Sequence, residues 1–245
     1  MGRNNLIFGM HPLLEALEAG REIDKILLKR GLRSDEVSRI MALARERIIP
    51  LQMVPEERLS RLTRGQHQGV IAFVSEIEYT SLEQLIPMIY EQGRSPFVVL
   101  LDGLTDVRNF GAIARTAECA GVDALIIPER GSVSVTADAI KTSAGALHRL
   151  PVCRVSSIAS AVALLQQSGL QVVAASEKAS DLYTETDLRL PLGLVLGAED
   201  HGVSTDVLRM VDHIVRIPQV GAIGSLNVSV AAGILIYEVV RQAKK

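Results

Sequence analysis

The chain has 245 residues, of which 48% are hydrophobic and only 3% aromatic, and it contains no tryptophan. This length suits one large domain or two small ones with an aliphatic core, and so few aromatic side chains make a broad aromatic platform for nucleic-acid bases improbable. The net charge of −2 indicates no particular partner for the chain as a whole.

The sequence predicts neither a disulfide framework nor a metal site. Cys119 and Cys153 lie far apart in apolar surroundings, there is no CxxC, and the histidines are scattered. No secretion signal is evident, and no apolar run reaches about 18 residues without a polar interruption. We therefore expect a soluble, cytoplasmic protein that binds neither a membrane nor a metal.

Residues 1–75 are predicted to form a small α/β domain, because helical and extended patterns alternate along them. The predicted helices are “HPLLEALEAG”, “SDEVSRIMALARERI” and “PEERLSRLT”, and the predicted strands are “IDKILLKR”, “IPLQMV” and “QGVIAFVSE”. Ser34 is predicted to cap the second helix, since acidic residues follow it in the first turn.

Charge is distributed unevenly between the two parts of the chain. Residues 1–75 carry 12 lysines and arginines against 9 acids, a net charge of +3, whereas the remainder carries 14 against 19, a net charge of −5. A basic N-terminal part indicates an anionic partner such as RNA. A solvated surface of mixed charge explains the same counts equally well.

Residues 76–95 are predicted to be a linker with a short helix of its own, and residues 96–245 to be a second domain. Six short, nearly all-apolar runs in the second domain are typical of strands buried on both faces of a parallel sheet. These runs are “PFVVLLDGL”, “DALIIPE”, “LPVCRV”, “LQVVAASE”, “LGLVLGAE” and “HIVRIP”. Helical patterns separate most of them, at residues 109–120, 135–144, 158–167 and 204–210.

Unusual polar residues follow three of these strands, at the sheet edge where parallel α/β domains bind ligands. After the first strand, “LTDVRNFGAIARTA” begins a helix with Asn109 as a candidate cap. Arg115 follows in a run of small and apolar residues. The alternative for Arg115, a surface arginine on an amphipathic helix, is weakened by that run.

The other two segments place glycines beside polar residues. “LVLGAEDHGV” contains Gly197, where the missing Cβ lets a backbone approach a ligand, and Glu199. “IPQVGAIGSLNVSVAAG” has Ser225 as the predicted N-cap of the last helix and Asn227 in its first turn. Asn227 either presents its amide to a substrate or makes a local capping bond, which is the commoner use of asparagine. The glycine fingerprints of dinucleotide-binding and P-loop proteins and the GxSxG elbow do not occur in the sequence.

Together these segments resemble the three signature motifs of the SpoU/TrmH-type RNA 2′-O-ribose methyltransferases of the SPOUT superfamily. “NFGAIARTA” is similar to the first motif, “LVLGAEDHGV” to the second and “IPQVGAIGSLNVSVAAGILIYE” to the third, in the family's order. “IFGMHPLLEAL” and “HQGVIAFV” resemble the start and the end of the L30e-like RNA-binding domain of the RlmB-like branch. The sequence departs from the family pattern at Val107, where proline is frequent, and at Asp200-His201, where glycine is frequent at the first position.

The resemblance implies a C-terminal SPOUT domain, with a parallel sheet and a deep trefoil knot, preceded by a small L30e-like α/β domain. It also implies that loops at residues 176–177, 196–198 and 217–226 wrap S-adenosylmethionine in a bent shape. The implied cofactor contacts are Ser176, Leu196, Gly197, Ala198, Ile217, Leu226 and Asn227.

The implied reaction is attack of a ribose 2′-hydroxyl on a sulfonium methyl group, which needs no metal. The family resemblance gives the central role to Arg115. A guanidinium is a poor base because it keeps its proton, so we expect Arg115 to hold the ribose or its phosphate and to stabilise developing negative charge. Glu199 would orient Arg115 or the nucleoside, and Asn227 and Ser225 would position the hydroxyl and the cofactor.

The RlmB-like branch methylates a guanosine in the peptidyl-transferase loop of large-subunit (23S) ribosomal RNA, and the resemblance implies the same substrate here. The expected RNA contacts in the second domain are Asn109 and Arg115. In the first domain they are Arg3, Lys29, Arg30, Arg61, Arg64 and Gln66, each with solvated surface as its alternative. The resemblance also implies a homodimer in which Arg115 acts across the interface. Its expected dimer face, with an intramolecular core contact as the alternative, is the stripe Val228, Ala231, Leu235 and Val239.

Two other functions compete with this assignment. One is methylation of transfer RNA by the same chemistry, which the N-terminal domain disfavours because the tRNA branch typically lacks it. The other is a non-catalytic RNA-binding or ribosome-assembly factor, which the presence of Arg115, Glu199 and Asn227 disfavours.

Overall fold

The computed structural model of the chain describes residues 6–198 and 200–243. The chain forms two compact units, of which the first ends at Glu78 and the second begins at Tyr79. Within the described ranges, no helix is long and apolar enough to cross a lipid bilayer.

The first unit is built around a four-stranded sheet. Its elements are β1 (Leu6–Phe8), α1 (Met10–Glu18), β2 (Ile23–Lys29), α2 (Asp35–Glu46), β3 (Leu51–Val54), α3 (Glu56–Leu62) and β4 (Val70–Val74). The strands lie in the order β1-β4-β2-β3, and β2 and β3 are parallel while the other pairs are antiparallel. The helices and strands predicted for residues 1–75 are all present. β1 adds a strand that was not predicted, because three residues are too few to show an alternating pattern.

Helices cover the two faces of this sheet unequally. α1 and α2 bury Leu13 and Ile40 on one face, in a large aliphatic cluster. The other face is covered by the short helix α3, which contributes Leu59 to a much smaller cluster. Ser34 caps α2 as predicted, since its Oγ accepts a hydrogen bond of 3.2 Å from the backbone N–H of Val37.

The second unit is built around an eight-stranded sheet. Its elements are β5 (Tyr79–Thr80), α4 (Leu82–Glu91), β6 (Phe97–Asp102), α5 (Val107–Ala120), β7 (Ala124–Pro128), α6 (Ala137–Thr142), a 3-10 helix (Ala146–His148), β8 (Val152–Val155), α7 (Ile158–Gln167), β9 (Gln171–Ala175), β10 (Asp181–Leu182), β11 (Leu192–Gly197), α8 (Thr205–Leu208), β12 (His213–Arg216) and α9 (Val228–Ala243). The strand order is β10-β12-β9-β11-β6-β7-β8-β5, and the paired strands are parallel.

The parallel sheet confirms the prediction made from the six apolar runs, which become β6, β7, β8, β9, β11 and β12. Residues 98–101 of β6 are wholly buried, as expected for a strand covered on both faces. β11 lies between β6 and β9, and β12 lies on the far side of β9. The carboxyl ends of β9, β11 and β12 are therefore neighbours at one edge of the sheet.

The prediction that residues 76–95 form a linker is wrong for most of that segment. β5 pairs with β8, and α4 buries Leu82, Ile86 and Ile89 in a large apolar cluster of the second unit. An amphipathic helix has the same pattern whether it lies in a linker or covers a sheet. The sequence therefore did not reveal which apolar surface α4 packs against.

Candidate active site

A cavity of about 390 Å³ lies at the carboxyl ends of β9, β11 and β12. The loops that follow these three strands form its wall, because parallel neighbours end at the same edge of the sheet. The predicted site residues that line it are Ser176, Leu196, Gly197, Ala198, Ile217, Ser225 and Leu226. Segments about 20 residues apart in the chain thus meet in one place, as the resemblance to a cofactor-binding site implied.

Several other residues of the wall were not named individually in advance. Gln219 and Gly224 lie inside the segment 217–226 that was expected to wrap the cofactor, whereas Lys178, Asp200, His201 and Gly202 lie just beyond the expected segments. Position in the loop was the available signal. The Nδ1 atom of His201 lies 2.5 Å from Oδ1 of Asp200, which places a mutually paired acid and imidazole at the rim.

Gly197 is required by the protein backbone itself. A Cβ atom at this position would overlap the backbone of Gly202 and Val203. The turn between β11 and these residues closes by two hydrogen bonds between the backbones of Ala198 and Gly202, of 3.2 and 2.9 Å. From the sequence, we expected this glycine to let a ligand approach the backbone. In the structure, the backbone of Gly202 and Val203 occupies the space beside it. The turn then supplies Ala198, Asp200 and His201 to the cavity wall.

Two aspartates organise the segment after β6. The Oδ2 atom of Asp102 accepts a hydrogen bond of 2.8 Å from the backbone N–H of Ser204, which ties β6 to the loop before α8. Asp106 caps α5 by accepting hydrogen bonds from the backbone N–H groups of Arg108 and Asn109. The expectation that Asn109 caps this helix is therefore wrong. Asp106, three residues earlier, accepts the capping hydrogen bonds instead.

Asn109 instead contacts the start of the last helix. The Nδ2 atom of Asn227 donates a hydrogen bond of 3.0 Å to Oδ1 of Asn109. The Oδ1 atom of Asn227 also accepts a hydrogen bond of 2.9 Å from the backbone N–H of Ser229. Asn227 therefore caps α9, and the prediction of Ser225 as the cap is wrong, because α9 begins at Val228 and Ser225 lies too far ahead of it.

Arg115 lies on the exposed face of α5. Its apolar neighbours Ile113, Ala114 and Ala117 form the buried face of the helix, which explains the run of small residues that surrounds it. Arg115 does not line the cavity of its own chain, and neither do Asn109 and Asn227. Glu199, the fourth predicted catalytic residue, lies outside the described residues. Within one chain the structure thus joins Asn109 to Asn227 and leaves Arg115 apart from the cavity.

Four of the predicted RNA contacts of the first unit lie in β2, in α3 and in the residues that follow these elements. Lys29 is the last residue of β2 and Arg30 follows it, while Arg61 lies in α3 and Arg64 in the loop behind it. The three arginines are exposed, and Lys29 pairs with Glu56 at the start of α3. The hydrogen bond from Lys29 holds the pKa of the Glu56 carboxyl below its usual value. Arg3 lies outside the described residues.

The apolar stripe expected to form a dimer face is largely buried inside the chain. Val228, Leu235 and Val239 are at most 7% exposed, so the intramolecular alternative holds for them. Helix α9 exposes its opposite face instead, where Val230 and Tyr237 are each 51% exposed. Apolar residues at helical spacing show that a helix has an apolar stripe. They do not show whether that stripe packs inside the chain or against a second subunit.

Two further observations concern metal binding and the buried cysteine Cys153. No group of three or more His, Cys, Asp or Glu residues in the described part of the chain could hold a metal ion. Burial, with a smaller contribution from Glu83, raises the pKa of Cys153 to about 12, so this thiol stays neutral and unreactive.

A parallel α/β sheet with a ligand-sized cavity at adjacent strand ends is the architecture of α/β enzymes that bind a small molecule at that edge. The sequence profile of the SpoU rRNA Methylase family matches residues 96–237. A second profile, RNA 2′-O ribose methyltransferase substrate binding, matches residues 6–80. The chain therefore belongs to the SpoU/TrmH family of RNA methyltransferases.

Similar proteins span nearly the whole length of the chain. A Staphylococcus saprophyticus protein described as a TrmH family tRNA/rRNA methyltransferase is 38% identical over 237 residues, which are 97% of this chain and 95% of that protein. YacO of Bacillus subtilis, described in the same way, is 34% identical over 240 residues, or 98% and 96% of the two chains.

Two solved structures share the fold and hold a ligand. The AdoMet-bound rRNA methyltransferase from Sinorhizobium meliloti aligns with a TM-score of 0.61 and 26% identity, over 97% of this chain and 87% of that one. The SpoU methyltransferase AviRb from Streptomyces viridochromogenes, in complex with AdoMet, aligns with a TM-score of 0.60 and 27% identity, over 97% and 89%.

Proposed function

We propose that this chain is an S-adenosylmethionine-dependent RNA (guanosine-2′-O-)-methyltransferase that acts in the cytoplasm on the peptidyl-transferase loop of large-subunit ribosomal RNA. The observation that carries the proposal is the meeting of three predicted cofactor loops around one cavity of about 390 Å³. The two similar structures that contain AdoMet support the same cofactor here.

The range of the structural matches favours ribosomal over transfer RNA. The AdoMet-bound rRNA methyltransferase matches 97% of this chain. A tRNA-modifying TrmH/SpoU enzyme from A. aeolicus matches 66% of it, with 28% identity and a TM-score of 0.56. The part of this chain outside that match is long enough to form an additional domain. A separate domain of the kind matched by the substrate-binding profile supports recognition of a large, folded RNA.

The cavity suits S-adenosylmethionine in size and in chemistry. Its volume falls within the usual range of small-molecule sites, roughly 300–1,000 Å³. Leu196, Ile217 and Leu226 offer apolar surface for the adenine ring, and the polar groups of Ser176 and Lys178 suit the ribose and the amino-acid end. When bound, the cofactor supplies a methyl group already activated by its sulfonium, so the chemistry requires no metal.

The chain's own residues would then position the ribose and stabilise charge. As the 2′-hydroxyl oxygen bonds to the methyl carbon, the bond from that carbon to sulfur would break to leave a neutral thioether, and the hydroxyl proton would pass to solvent water. Negative charge would develop on the oxygen during this step. Arg115 holds the ribose or its phosphate and stabilises that charge, and Glu199 orients Arg115 or the nucleoside. Ser225, on the cavity wall, and Asn227, held by its hydrogen bond to Asn109, position the hydroxyl and the cofactor.

A homodimer would bring Arg115 to the reaction. Arg115 is exposed and lies outside the cavity of its own chain, which supports delivery to the cavity of a partner subunit. The exposed face of α9, with Val230 and Tyr237, is the proposed dimer surface, in place of the buried stripe.

Two details of the fold belong to the same proposal. The second unit would contain a deep trefoil knot, which the strand order β12-β9-β11-β6 supports because the chain crosses over β9 after leaving β11. The first unit would be an L30e-like RNA-binding domain, which the match to the substrate-binding profile supports.

The direct test combines cofactor binding with a map of RNA methylation. We expect calorimetry to show that the protein binds S-adenosylmethionine. In ribosomal RNA from cells that lack the gene, we expect one guanosine of the peptidyl-transferase loop to lose its 2′-O-methyl group, and purified protein to restore it. A missing methyl group in transfer RNA would establish the tRNA alternative. No cofactor binding together with an unchanged methylation map would establish a non-catalytic factor.

A further inference from the structure

Phe8 exposes an aromatic ring at the end of β1. It is 40% exposed, in a chain that has only 4 Phe, 4 Tyr and no Trp. Leu6, two residues earlier and so on the same face of the strand, packs against the small cluster beneath α3. β1 is an edge strand, so Phe8 extends this apolar face beyond the part that α3 covers.

One side of the Phe8 ring is held by the loop between α3 and β4. A Cβ atom on Gly65 would lie 2.5 Å from Cε2 and 2.8 Å from Cζ of the ring, so the Gly65 backbone packs directly against it. The loop is fixed in turn by a hydrogen bond of 3.1 Å from the backbone N–H of Gly65 to Oγ1 of Thr63. The ring is therefore already ordered, while a large part of it stays open to solvent.

Cationic residues lie on the loop that packs against this ring, on α3 and on the same face of the sheet. Arg64 immediately precedes Gly65, and Arg61 lies in the last turn of α3, and both are exposed. Lys29 lies on the same face of the sheet, because Leu27 and Phe8 both pair with Ile71 and Lys29 is two residues beyond Leu27. An ordered apolar ring beside exposed guanidinium groups matches the two surfaces of a nucleotide, which are a flat base and a phosphate.

We propose that Phe8 stacks against one unpaired base of the RNA substrate while Arg61 and Arg64 contact the adjoining phosphates. The inference rests on the proposed RNA substrate. It adds that the first unit selects RNA with unpaired bases. Bases of a continuous duplex are already stacked on both sides and cannot reach the ring, whereas bases in an open loop can. A single ring gives one stacking position, which agrees with the scarcity of aromatic residues in the chain.

A Phe8→Trp variant tests the stacking directly. The natural chain contains no tryptophan, so the introduced indole is the sole tryptophan fluorophore. The probes are a hairpin RNA with an open loop and a fully paired duplex with the same stem. We expect the hairpin to quench the indole and the duplex to leave it unchanged. Met53→Trp is the matched control, because Met53 is also 40% exposed on the same sheet but pairs with Leu28, which faces the opposite side.

The full-length protein with Phe8→Leu should bind the hairpin about ten-fold more weakly than the natural protein, because it keeps an apolar side chain but loses the π face. Phe8→Tyr should bind it normally, and thermal unfolding checks that both variants fold. Equal quenching in the two tryptophan variants, no quenching in either, or normal binding by Phe8→Leu would overturn the proposal. Methyl transfer by the natural protein separates the two hypotheses. If ribosomal RNA is methylated and the Phe8→Trp indole is unquenched, only the stacking site fails, whereas absence of methyl transfer to any RNA refutes the proposed function.

Discussion

The side-chain amide of Asn227 donates a hydrogen bond of 3.0 Å to the side-chain oxygen of Asn109, and the two residues are 118 positions apart in the chain. This bond joins the first turn of α5 to the residue that caps α9. Two of the three sequence motifs are thus connected by a direct contact between side chains. Leu226 and Val228, the chain neighbours of Asn227, line the cavity, so the contact fixes the backbone at that part of the wall.

Asn227→Asp should separate the capping role of Asn227 from its role in positioning. Aspartate caps helices as well as asparagine does, so we expect stability close to that of the natural protein. It has no amide donor for Asn109, so we expect single-turnover methyl transfer to fall by about ten-fold. Asn227→Ala loses the cap as well and should be less stable by about 1 kcal/mol. Equal methylation rates for Asn227→Asp and the natural protein would show that the contact with Asn109 has no part in the reaction.

Arg115→Ala should lower the rate of methylation without lowering the stability of the fold. Arg115 is exposed, so the free energy of unfolding should change by less than about 0.5 kcal/mol. The rate of single-turnover methylation at saturating RNA should fall by about 100-fold, because the group proposed to stabilise developing charge is removed. Arg115→Lys should be intermediate, since lysine keeps the charge but not the planar guanidinium. Arg209→Ala, another exposed arginine, is the control. Near-normal rates in Arg115→Ala would remove this residue from the mechanism.

Mixed dimers should reveal whether Arg115 acts across the interface. One subunit carries Arg115→Ala and the other Asn227→Ala, and each homodimer is expected to be nearly inactive. If a site takes Arg115 from one subunit and Asn227 from the other, the mixed dimer contains one site with both natural residues. We then expect about half of the natural activity per dimer, measured after purification with two different tags. A mixed dimer as inactive as its parents would place both residues in the same subunit's site.

Gly197→Ala should disrupt the turn that forms one wall of the cavity. The added methyl group overlaps the backbone of Gly202 and Val203, so we expect a loss of about 2 kcal/mol in stability. We also expect weaker binding of S-adenosylmethionine in calorimetry. Gly224→Ala is the matched control, because Gly224 also lines the cavity but a Cβ atom there meets no atom within 4 Å. If both variants unfold at the same temperature as the natural protein, a Cβ atom at Gly197 does not destabilise the turn and the prediction is wrong.

The two faces of α9 should respond differently to substitution. Leu235 is fully buried, so Leu235→Ala should lower the free energy of unfolding by about 3 kcal/mol. Tyr237 lies on the exposed face, so Tyr237→Glu should leave the fold intact and shift the proposed dimer towards monomer, because it would bury an unpaired charge in the proposed interface. Analytical ultracentrifugation and thermal unfolding measure the two effects. A Tyr237→Glu protein that stays dimeric would rule out this face of α9 as the interface.

Local patterns in the sequence were enough to predict many elements of the fold. The apolar runs of β6 and β11 indicated strands buried on both faces, and the acidic first turn after Ser34 indicated a cap. Predictions that required a choice between nearby polar residues were less successful. Asp106 rather than Asn109 caps α5, and Asn227 rather than Ser225 caps α9, because the capping residue depends on where the helix begins.

The sequence by itself determined the apolar periodicities, the buried parallel strands and the three motifs that show the family, since each depends on residues that are neighbours in the chain. Tertiary structure alone decided that α4 covers the second sheet, that Gly197 admits returning backbone and that Asn227 bonds to Asn109. Those outcomes depend on strand order, with β11 between β6 and β9. Strand order follows from the free energy of packing distant segments, and a local pattern of side chains does not contain that information.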